Sequence, residues 1–416
     1  MPFYICRRDV EKCMNCGFCG DLIFCPGAEM RRGEFIQDEK CIGCLLCYYA
    51  CPHQAIEMVQ DKAHRKKVGI KIGGKRVRVS EHITVKNALE TFGYKFSKFP
   101  EKGAILAPCE VGGCYACGLI INGELRPACT TPVTQGMDVK LKLPKNCTPL
   151  RRVSGYVPHS AGGVGTPWWV KKSGQGYIEV ACFTHGCNLR CPQCQNFTVT
   201  YNNVESPSTP EEAAQKLAMY RRQYDVDRMA VSGGEPTLNP AWLIRFFRKL
   251  VELNPDQQAH FHLDTNATIL SPSYMDDLVE VGVTDIGPDL KGLHVETFMR
   301  VTGLADKELA GQYLQNAWSA VKYLVDKYYP EKLFVGVGVP YNKSLITLEE
   351  IREIGDKLAE MNSEVQVCLL DYFPTFRRLI SRPTVGEMKK ASATLRESGL
   401  KTVIAQTIMG YIGPQE

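Results

Sequence analysis

Cysteine clustering is the feature that most restricts what this chain can fold into. The sequence has 416 residues and 19 cysteines, and all but Cys6, Cys147, Cys182 and Cys368 fall into four groups with short, regular spacing. The start of the chain lacks the apolar segment of a secretion signal, so we expect a reducing compartment without disulfides. Clustered cysteines in such a chain are typical of metal ligands. The sequence therefore predicts four cluster or metal sites, with the four remaining cysteines as incidental thiols.

Composition excludes several classes of protein. The chain is 44% hydrophobic and 23% charged, which is ordinary for a globular protein. It lacks a run of 18 apolar residues, so we expect neither a membrane-spanning helix nor a membrane partner. A net charge of +5 is too small to indicate nucleic-acid binding. The expected location is an oxygen-poor cytoplasm, because exposed iron–sulfur clusters are sensitive to oxygen.

Two cysteine runs occupy residues 1–60, the first predicted domain. Each has the form C-x2-C-x2-C followed by Cys-Pro, and they comprise Cys13, Cys16, Cys19 and Cys25-Pro26, then Cys41, Cys44, Cys47 and Cys51-Pro52. This pattern resembles the two-cluster bacterial ferredoxins, in which the fourth cysteine of each run ligates the other cluster. The resemblance implies two [4Fe–4S] clusters, with Cys51 joining the first run and Cys25 joining the second. The first run has a longer gap before Cys25 than that pattern, and zinc knuckles remain the alternative.

Residues 64–145 form the second predicted domain. VGIKI and RVRVS flank Gly73-Gly74, a hairpin turn signal, and Thr84 precedes a helical pattern that stops at Gly93. The next ligand candidates are Cys109, Cys114, Cys117 and Cys129, followed or interrupted by glycines that let the backbone bend close to sulfur. Their C-x4-C-x2-C spacing resembles that of plant-type ferredoxins. The resemblance implies a β-grasp domain with one [2Fe–2S] cluster, and zinc again remains the alternative.

The rest of the chain reads as a linker and a larger domain. Residues 146–176 are rich in Gly, Pro and Ser and predict a linker, packed against a domain by Trp168 and Trp169. Residues 177–416 alternate strand and helix patterns, which indicates βαβ units with a parallel sheet. Seven strand candidates predict an α/β fold, a partial or full barrel with chemistry at the carboxyl ends of its strands.

A third kind of cysteine group follows the first strand of this domain. GCNLRCPQCQN holds Cys187, Cys191 and Cys194 at C-x3-C-x2-C, with no fourth cysteine nearby. A [4Fe–4S] cluster held by three thiolates has one iron without a protein ligand. The pattern resembles the radical S-adenosylmethionine (SAM) superfamily. The resemblance implies that the open iron binds SAM, and that one electron cleaves it to methionine and a 5′-deoxyadenosyl radical that takes hydrogen from a substrate.

Three further motifs extend this resemblance to the pyruvate formate-lyase activating enzyme group, and the tail resembles AmmeMemoRadiSam-like activases. They end the second, third and fourth predicted strands and contain Ser232, Gly233, Gly234 and Glu235, then Asp264, Thr265 and Asn266, then Asp289 and Lys291. The resemblance implies that the glycine-rich motif contacts the methionine amino group and that Lys291 faces the SAM carboxylate. It also implies a monovalent cation at Asp264, Thr265 and Asp289. Gln193 stands where the family often has an aromatic residue against adenine, so backbone or Phe197 would replace that contact.

Taken together, the patterns predict a radical SAM enzyme with three [4Fe–4S] clusters and one [2Fe–2S] cluster. Its predicted catalytic set is Cys187, Cys191, Cys194 and Lys291. We expect the fused ferredoxin domains to deliver electrons from an external low-potential donor, and the substrate to be a protein or peptide, as for a glycyl radical activase. Two alternatives stay open: conversion of a small molecule or a side chain, and an electron-transfer subunit. The sequence names neither the substrate nor the oligomeric state, and it leaves open whether SAM is consumed.

Overall fold

The computed structural model describes residues 3–25, 28–31, 34–37, 40–62, 64–377 and 379–414. Pro26, which completes the first predicted Cys-Pro pair, lies outside these residues. The chain divides into two compact units, each described by itself below. The first comprises Met1–Ser154, Thr184–Asn188 and Asn196–Thr209; the second comprises Gly155–Phe183, Leu189–Gln195 and Pro210–Glu416.

The amino-terminal part of the first unit is built around one antiparallel strand pair and two short helices. Its elements are β1 (Tyr4–Arg8), α1 (Phe18–Asp21), β2 (Ala28–Arg31), β3 (Glu34–Gln37), α2 (Leu46–Ala50) and β4 (Ile56–Gln60). Strand β1 pairs with β4 from Tyr4↔Gln60 to Arg8↔Ile56, which brings the two ends of this region together. Each helix begins inside a cysteine run, so the third cysteine of each run lies on a helix.

The next part of the first unit is a five-stranded sheet with one helix. Its elements are β5 (Lys67–Ile72), β6 (Lys75–Ser80), α3 (Val85–Glu90), β7 (Phe96–Ser97), β8 (Ile105–Leu106), β9 (Gly118–Ile121), β10 (Glu124–Pro127) and β11 (Asp138–Lys140). The strand order is β10-β9-β11-β5-β6, with β11 parallel to β5. The predicted hairpin turn at Gly73-Gly74 is confirmed, since both glycines have positive φ. The predicted cap is confirmed as well, because the Thr84 side chain accepts a hydrogen bond from the Asn87 amide.

The remaining elements follow in chain order. They are β12 (Arg151–His159), β13 (Glu179–Thr184), α4 (Phe197–Thr200), β14 (Pro207–Ser208), α5 (Pro210–Tyr224), β15 (Arg228–Gly233), a 3-10 turn (Pro236–Leu238), α6 (Pro240–Leu253), β16 (His260–Thr265), α7 (Pro272–Glu280), β17 (Asp285–Pro288), α8 (Val295–Thr302), α9 (Lys307–Lys327), β18 (Phe334–Tyr341), α10 (Leu348–Asn362), β19 (Gln366–Asp371), α11 (Val385–Glu397), β20 (Val403–Thr407) and β21 (Gly410–Ile412). The predicted strand and helix alternation is confirmed. Strand β12 lies inside the region predicted as linker, which carries no clear apolar period.

The sheet of the second unit explains where the chemistry can lie. Strands β15 to β20 run parallel to one another in chain order, and β21 returns antiparallel to β20. The sheet is open among the described residues. Of the two predicted forms, a partial and a full barrel, the fold is therefore the partial barrel. Helices cover it, and α6 buries Trp242, Phe246 and Phe247 completely. Because parallel strands end at the same edge, the loops after β15, β16 and β17 lie side by side.

The described part of the chain contains no helix that is both long and apolar enough to span a membrane. Trp168 and Trp169, predicted to pack the linker, remain about half exposed, and Trp169 meets the ring of Phe334 edge-on at 5.8 Å.

Candidate active site

Glu235 organises the loop after β15. Its carboxylate is buried, and one oxygen accepts hydrogen bonds from the Thr237 amide (3.0 Å), the Thr237 hydroxyl (2.6 Å) and the Thr265 hydroxyl (2.7 Å). The other oxygen accepts from the Asn266 amide at 2.6 Å. Burial raises the pKa of Glu235, whereas these hydrogen bonds lower it. The side chain therefore ties the loop after β15 to the loop after β16, a bracing role that the motif alone did not reveal.

The end of β16 presents Asp264 beside a buried histidine. His262 Nε2 lies 3.1 Å from Asp264 and its Nδ1 lies 3.0 Å from Glu179. Burial alone would lower the pKa of His262, but these two carboxylates raise it to about 10. His262 is therefore an imidazolium that holds Asp264. The Asn266 side chain accepts from the Thr268 amide and hydroxyl, which shapes the turn.

The loop after β17 joins Asp289 to Lys291. Their charged groups are 2.9 Å apart, and both side chains are partly exposed. A backbone bridge joins Asp289 to Gly338 of the next strand. A Cβ at Gly338 would lie 2.2 Å from the Asp289 carboxylate, so only glycine fits there. The neighbouring strand thus places the carboxylate and the lysine at the edge where the sheet ends.

The cysteine loop is divided between the two units: Cys187 belongs to the first, and Cys191 and Cys194 belong to the second. In the second unit, burial raises the pKa of Cys191 to about 11, opposed by the nearby Lys291. The Cys194 amide donates to the Cys191 carbonyl at 3.1 Å, which forms a tight turn between these two cysteines. Lys291 therefore lies close enough to Cys191 to act electrostatically on it.

Gln193 and Phe197 are the two residues of this region that bear on the predicted adenine contact. Gln193 is buried and its amide donates to the Phe373 carbonyl at 3.3 Å, so its side chain is engaged with the chain itself. Phe197 stacks on Phe18 with ring centroids 5.3 Å apart. The predicted adenine contact of Phe197 or backbone stays a prediction.

In the first unit, the residues before Cys187 meet the predicted [2Fe–2S] loop. His185 is buried; its Nδ1 lies 3.0 Å from the Asn202 carbonyl and its Nε2 lies 2.7 Å from the Ser154 hydroxyl. Burial lowers the pKa of His185 to about 4, so the ring is neutral, with Nδ1–H donating to the carbonyl. This histidine fixes the backbone at the amino side of the cysteine loop.

The cysteines predicted to bind a [2Fe–2S] cluster are gathered in one core. Cys109, Cys114, Cys117 and Cys129 are all buried, and the sulfurs of Cys109 and Cys114 are 3.1 Å apart. Burial raises the pKa of Cys114, and the neighbouring sulfur of Cys109 adds to this. Several sulfurs this close cannot all ionise in an apolar core without a compensating positive charge. Iron would supply that charge, so these residues fit the group that their spacing implies.

The first ferredoxin set also fits its cluster. A cavity is lined by Cys13, Cys16, Cys19 and Cys51, together with Phe18, Pro52 and neighbouring residues. Burial raises the pKa of Cys19 to about 11, and Cys51, Cys16 and Cys13 add to this effect. The cavity thus brings the distant Cys51 to the first run, which is the crossed ligand set that the resemblance implies.

The second set has a companion that the sequence did not suggest. Burial raises the pKa of Cys44, and the sulfur of Cys25 adds to this effect electrostatically. Cys6 on β1 lies within hydrogen-bonding reach of both Cys41 and Cys47. Its bond to Cys41 lowers its pKa, but Cys47 and burial raise it further, so Cys6 stays a thiol. A protonated Cys6 can therefore donate to a ligand sulfur.

The predicted cation site has a poor fit. Asp264 faces the His262 imidazolium, Asp289 faces Lys291, and the Thr265 hydroxyl donates to Glu235. The chain's own positive charges already neutralise both carboxylates. Among the described residues, neither Asp264 nor Asp289 belongs to a group of three His, Cys, Asp or Glu side chains placed to hold a metal ion. The monovalent cation stays a prediction, and no step below depends on it.

Comparison with known protein families agrees with this arrangement. Residues 182–353 match the radical SAM superfamily, residues 65–142 a 2Fe-2S iron–sulfur cluster binding domain, and residues 34–57 a 4Fe-4S binding domain. The chain therefore has a radical SAM domain preceded by iron–sulfur domains of both kinds, and the prediction of these domains is confirmed. The four-part division with its boundaries stays a prediction.

Individual relatives match over part of their length. A putative glycyl-radical enzyme activating enzyme of Methanocaldococcus jannaschii is 24% identical over 44% of this chain and 63% of its own. The pyruvate formate-lyase-activating enzyme of Staphylococcus aureus is 34% identical over 26% of this chain and 41% of its own. A probable GTP 3′,8-cyclase of Methanococcus aeolicus is 28% identical over 33% of this chain and 44% of its own. The chain thus spans between two fifths and two thirds of these relatives.

Among solved structures, Streptococcus suis SuiB bound to S-adenosylmethionine is similar over 53% of this chain and 48% of its own, at 15% identity and a TM-score of 0.41.

Proposed function

We propose that this protein cleaves SAM reductively and uses the resulting radical to abstract a hydrogen atom from a protein or peptide substrate. One observation carries the proposal. The glycine-rich, Asp-Thr-Asn and Asp-Leu-Lys motifs end three adjacent parallel strands, and the charge of Lys291 acts on Cys191. A cationic side chain at this edge of the sheet would bind the SAM carboxylate.

The predicted cluster would be held by Cys187, Cys191 and Cys194, and it supplies an open iron and one low-potential electron. The chain's own residues then position SAM. Lys291 would bind the carboxylate, and the backbone from Ser232 to Gly234, held in place by Glu235, would bind the amino group. One electron and SAM give methionine and a 5′-deoxyadenosyl radical, which becomes 5′-deoxyadenosine on taking hydrogen from the substrate.

The cofactor set follows from the fit of the cysteines. We propose three [4Fe–4S] clusters and one [2Fe–2S] cluster, with ligands assigned as the sequence predicts. The two amino-terminal cluster regions would carry electrons from an external low-potential donor to the radical SAM domain. The support is that the [2Fe–2S] loop contacts Gly186, directly before Cys187, and that Phe18 of the first ferredoxin run stacks on Phe197, three residues after Cys194.

The substrate class rests on the relatives. Two of the three are activating enzymes, one of them described as acting for a glycyl-radical enzyme. The cyclase relative favours a second candidate, in which the substrate is a small molecule.

The test is to reduce the anaerobic protein with dithionite, add SAM and measure 5′-deoxyadenosine. We expect the product from the native protein and none from Cys191→Ala. Absence of the product from a fully loaded native protein would favour the electron-transfer subunit and end the proposal. Deuterium transfer into 5′-deoxyadenosine from labelled peptides, against labelled nucleotides, would separate the two substrate classes.

A further inference from the structure

The predicted [2Fe–2S] loop packs backbone against backbone on the residue before Cys187. Gly186 has φ +82, and a Cβ there would lie 3.1 Å from the Cys109 Cβ and 3.2 Å from its sulfur. From the other side, a Cβ at Gly113 would lie 2.6 Å from the Gly186 amide nitrogen. Both positions thus exclude a side chain, and a sulfur of one cluster set lies in near contact with the residue bonded to Cys187.

Hydrogen bonds along β12 hold the two loops together. The Arg152 amide donates to the Gly113 carbonyl at 3.2 Å, and the His185 amide donates to the Arg152 carbonyl at 3.0 Å. The fully buried Arg151 donates to the His185 carbonyl at 3.3 Å. The start of β12 therefore connects the [2Fe–2S] loop to the amino side of the cysteine loop through hydrogen bonds.

The first ferredoxin loop makes a separate contact on the carboxyl side. Phe18, between Cys16 and Cys19, stacks on Phe197, which lies three residues after Cys194. The Asn203 amide donates to the Leu22 carbonyl at 3.0 Å, and the Asn203 side chain accepts from the Phe24 amide at 2.7 Å. Two different cluster regions thus reach the chain on either side of the three cysteines.

We infer that electrons reach the radical SAM cluster through two parallel entries rather than along one linear chain of clusters. One runs from the [2Fe–2S] cluster through the Cys109–Gly186 contact, and the other from the first ferredoxin cluster through Phe18 and Phe197. The inference rests on the proposed function, because it assumes that the four cysteine groups hold iron–sulfur clusters.

Each entry transfers one electron. A reduced cluster loses one electron and is oxidised, and the radical SAM cluster gains it and is reduced. An external one-electron protein carrier of the ferredoxin class then donates one electron to the oxidised cluster and reduces it again. No proton or bond change is required in this step, so the backbone and ring contacts are sufficient as the connection.

Parallel and linear routes differ in how far electron transfer slows when two clusters are removed together rather than one at a time. Cys117→Ala removes the [2Fe–2S] cluster and Cys16→Ala removes the first [4Fe–4S] cluster. With a dithionite-reduced bacterial-type ferredoxin as donor, freeze-quench electron paramagnetic resonance would follow reduction of the radical SAM cluster. Parallel entries predict that each single block slows reduction by about twofold and that both together slow it by more than about tenfold. Equal slowing by either single block and by both would show a linear route and overturn the inference.

A second pair of variants keeps every cluster. Gly113→Ala should push the [2Fe–2S] loop away from Gly186, and Phe18→Leu should remove the ring stack. Gly69→Ala and Phe92→Leu are the matched controls, because Gly69 has only a side-chain neighbour at 3.4 Å and Phe92 is an exposed ring. We expect the combined pair to slow cluster reduction more than either member and the controls to have no effect. Native rates in the combined pair, with all clusters loaded, would also overturn the inference.

The readout separates this inference from the proposed function. Cluster reduction is observed without SAM, whereas the proposed function fails only if dithionite-reduced protein forms no 5′-deoxyadenosine.

Discussion

Replacing Glu235 tests whether its carboxylate braces the SAM-binding edge. Glu235→Gln keeps the shape and one oxygen acceptor, so the two hydroxyls and the Thr237 amide retain a partner. The Asn266 amide, 2.6 Å from the second oxygen, would instead face an NH₂ group. A hydrogen bond to a charged group contributes about 1.5–3 kcal/mol, so we expect a loss of about 2 kcal/mol in the free energy of unfolding of this domain.

The alanine variant should be worse, because both amides lose their acceptor. Each buried unsatisfied donor costs about 1–3 kcal/mol, so Glu235→Ala should lose about 2–6 kcal/mol. For a domain of this size, the glutamine variant should lower the unfolding temperature by about 4–8 °C. Glu252→Gln is the matched control, since this exposed partner of Lys249 should contribute less than about 1 kcal/mol.

The assay is amide hydrogen exchange on the cluster-loaded protein, because a domain-specific readout avoids the overlapping unfolding of several domains. Exchange should increase at Asn266 in Glu235→Gln and at both Thr237 and Asn266 in Glu235→Ala, and SAM binding should weaken in parallel. Native protection at both amides in Glu235→Gln would refute the bracing role, as would a glutamine variant less stable than the alanine variant.

Three further changes have defined outcomes. Cys114→Ala should slow SAM cleavage with a ferredoxin donor but leave cleavage with dithionite nearly intact; an equal loss with both reductants would contradict electron delivery through this domain. Lys291→Met should weaken SAM binding by about 10–100-fold by equilibrium dialysis, because a charged hydrogen bond of about 1.5–3 kcal/mol is lost; cluster content is the control, and unchanged affinity would remove Lys291 from the site. Cys6→Ala should lower the reduction potential of the second ferredoxin cluster in an electron paramagnetic resonance titration, since a donor to a ligand sulfur is removed; Cys182→Ala is the control, and an unchanged potential would show that Cys6 only fills space.

The strand and helix order of the radical SAM domain could be predicted because its signals are local. Apolar periodicity, the caps and the glycine turns all lie within a few residues of the elements that they define. Strand β12 escaped prediction because RRVSGYVPH lacks a clear alternation. Its first residues pair with β14 and form hydrogen bonds with Gly113 and His185, all of which are distant in the chain.

The candidate site also combines features that could be predicted from the sequence with features that could not. The motifs were recognisable because each places its polar residues directly after a strand. The engagement of Asp264 by His262 could not be read from spacing, and neither could the bracing by Glu235. Both depend on the register between neighbouring strands.

The sequence by itself predicted the kinds of cluster and the class of reaction, since ligand spacing within one loop limits which cluster that loop can hold. Only the tertiary structure decided that Cys51 lines the cavity of the first run, that Cys6 reaches the second set, and that Gly113 meets Gly186. The physical reason is range: a loop's own residues specify its geometry, whereas contacts between loops arise only when the packing of separate segments brings their backbones together.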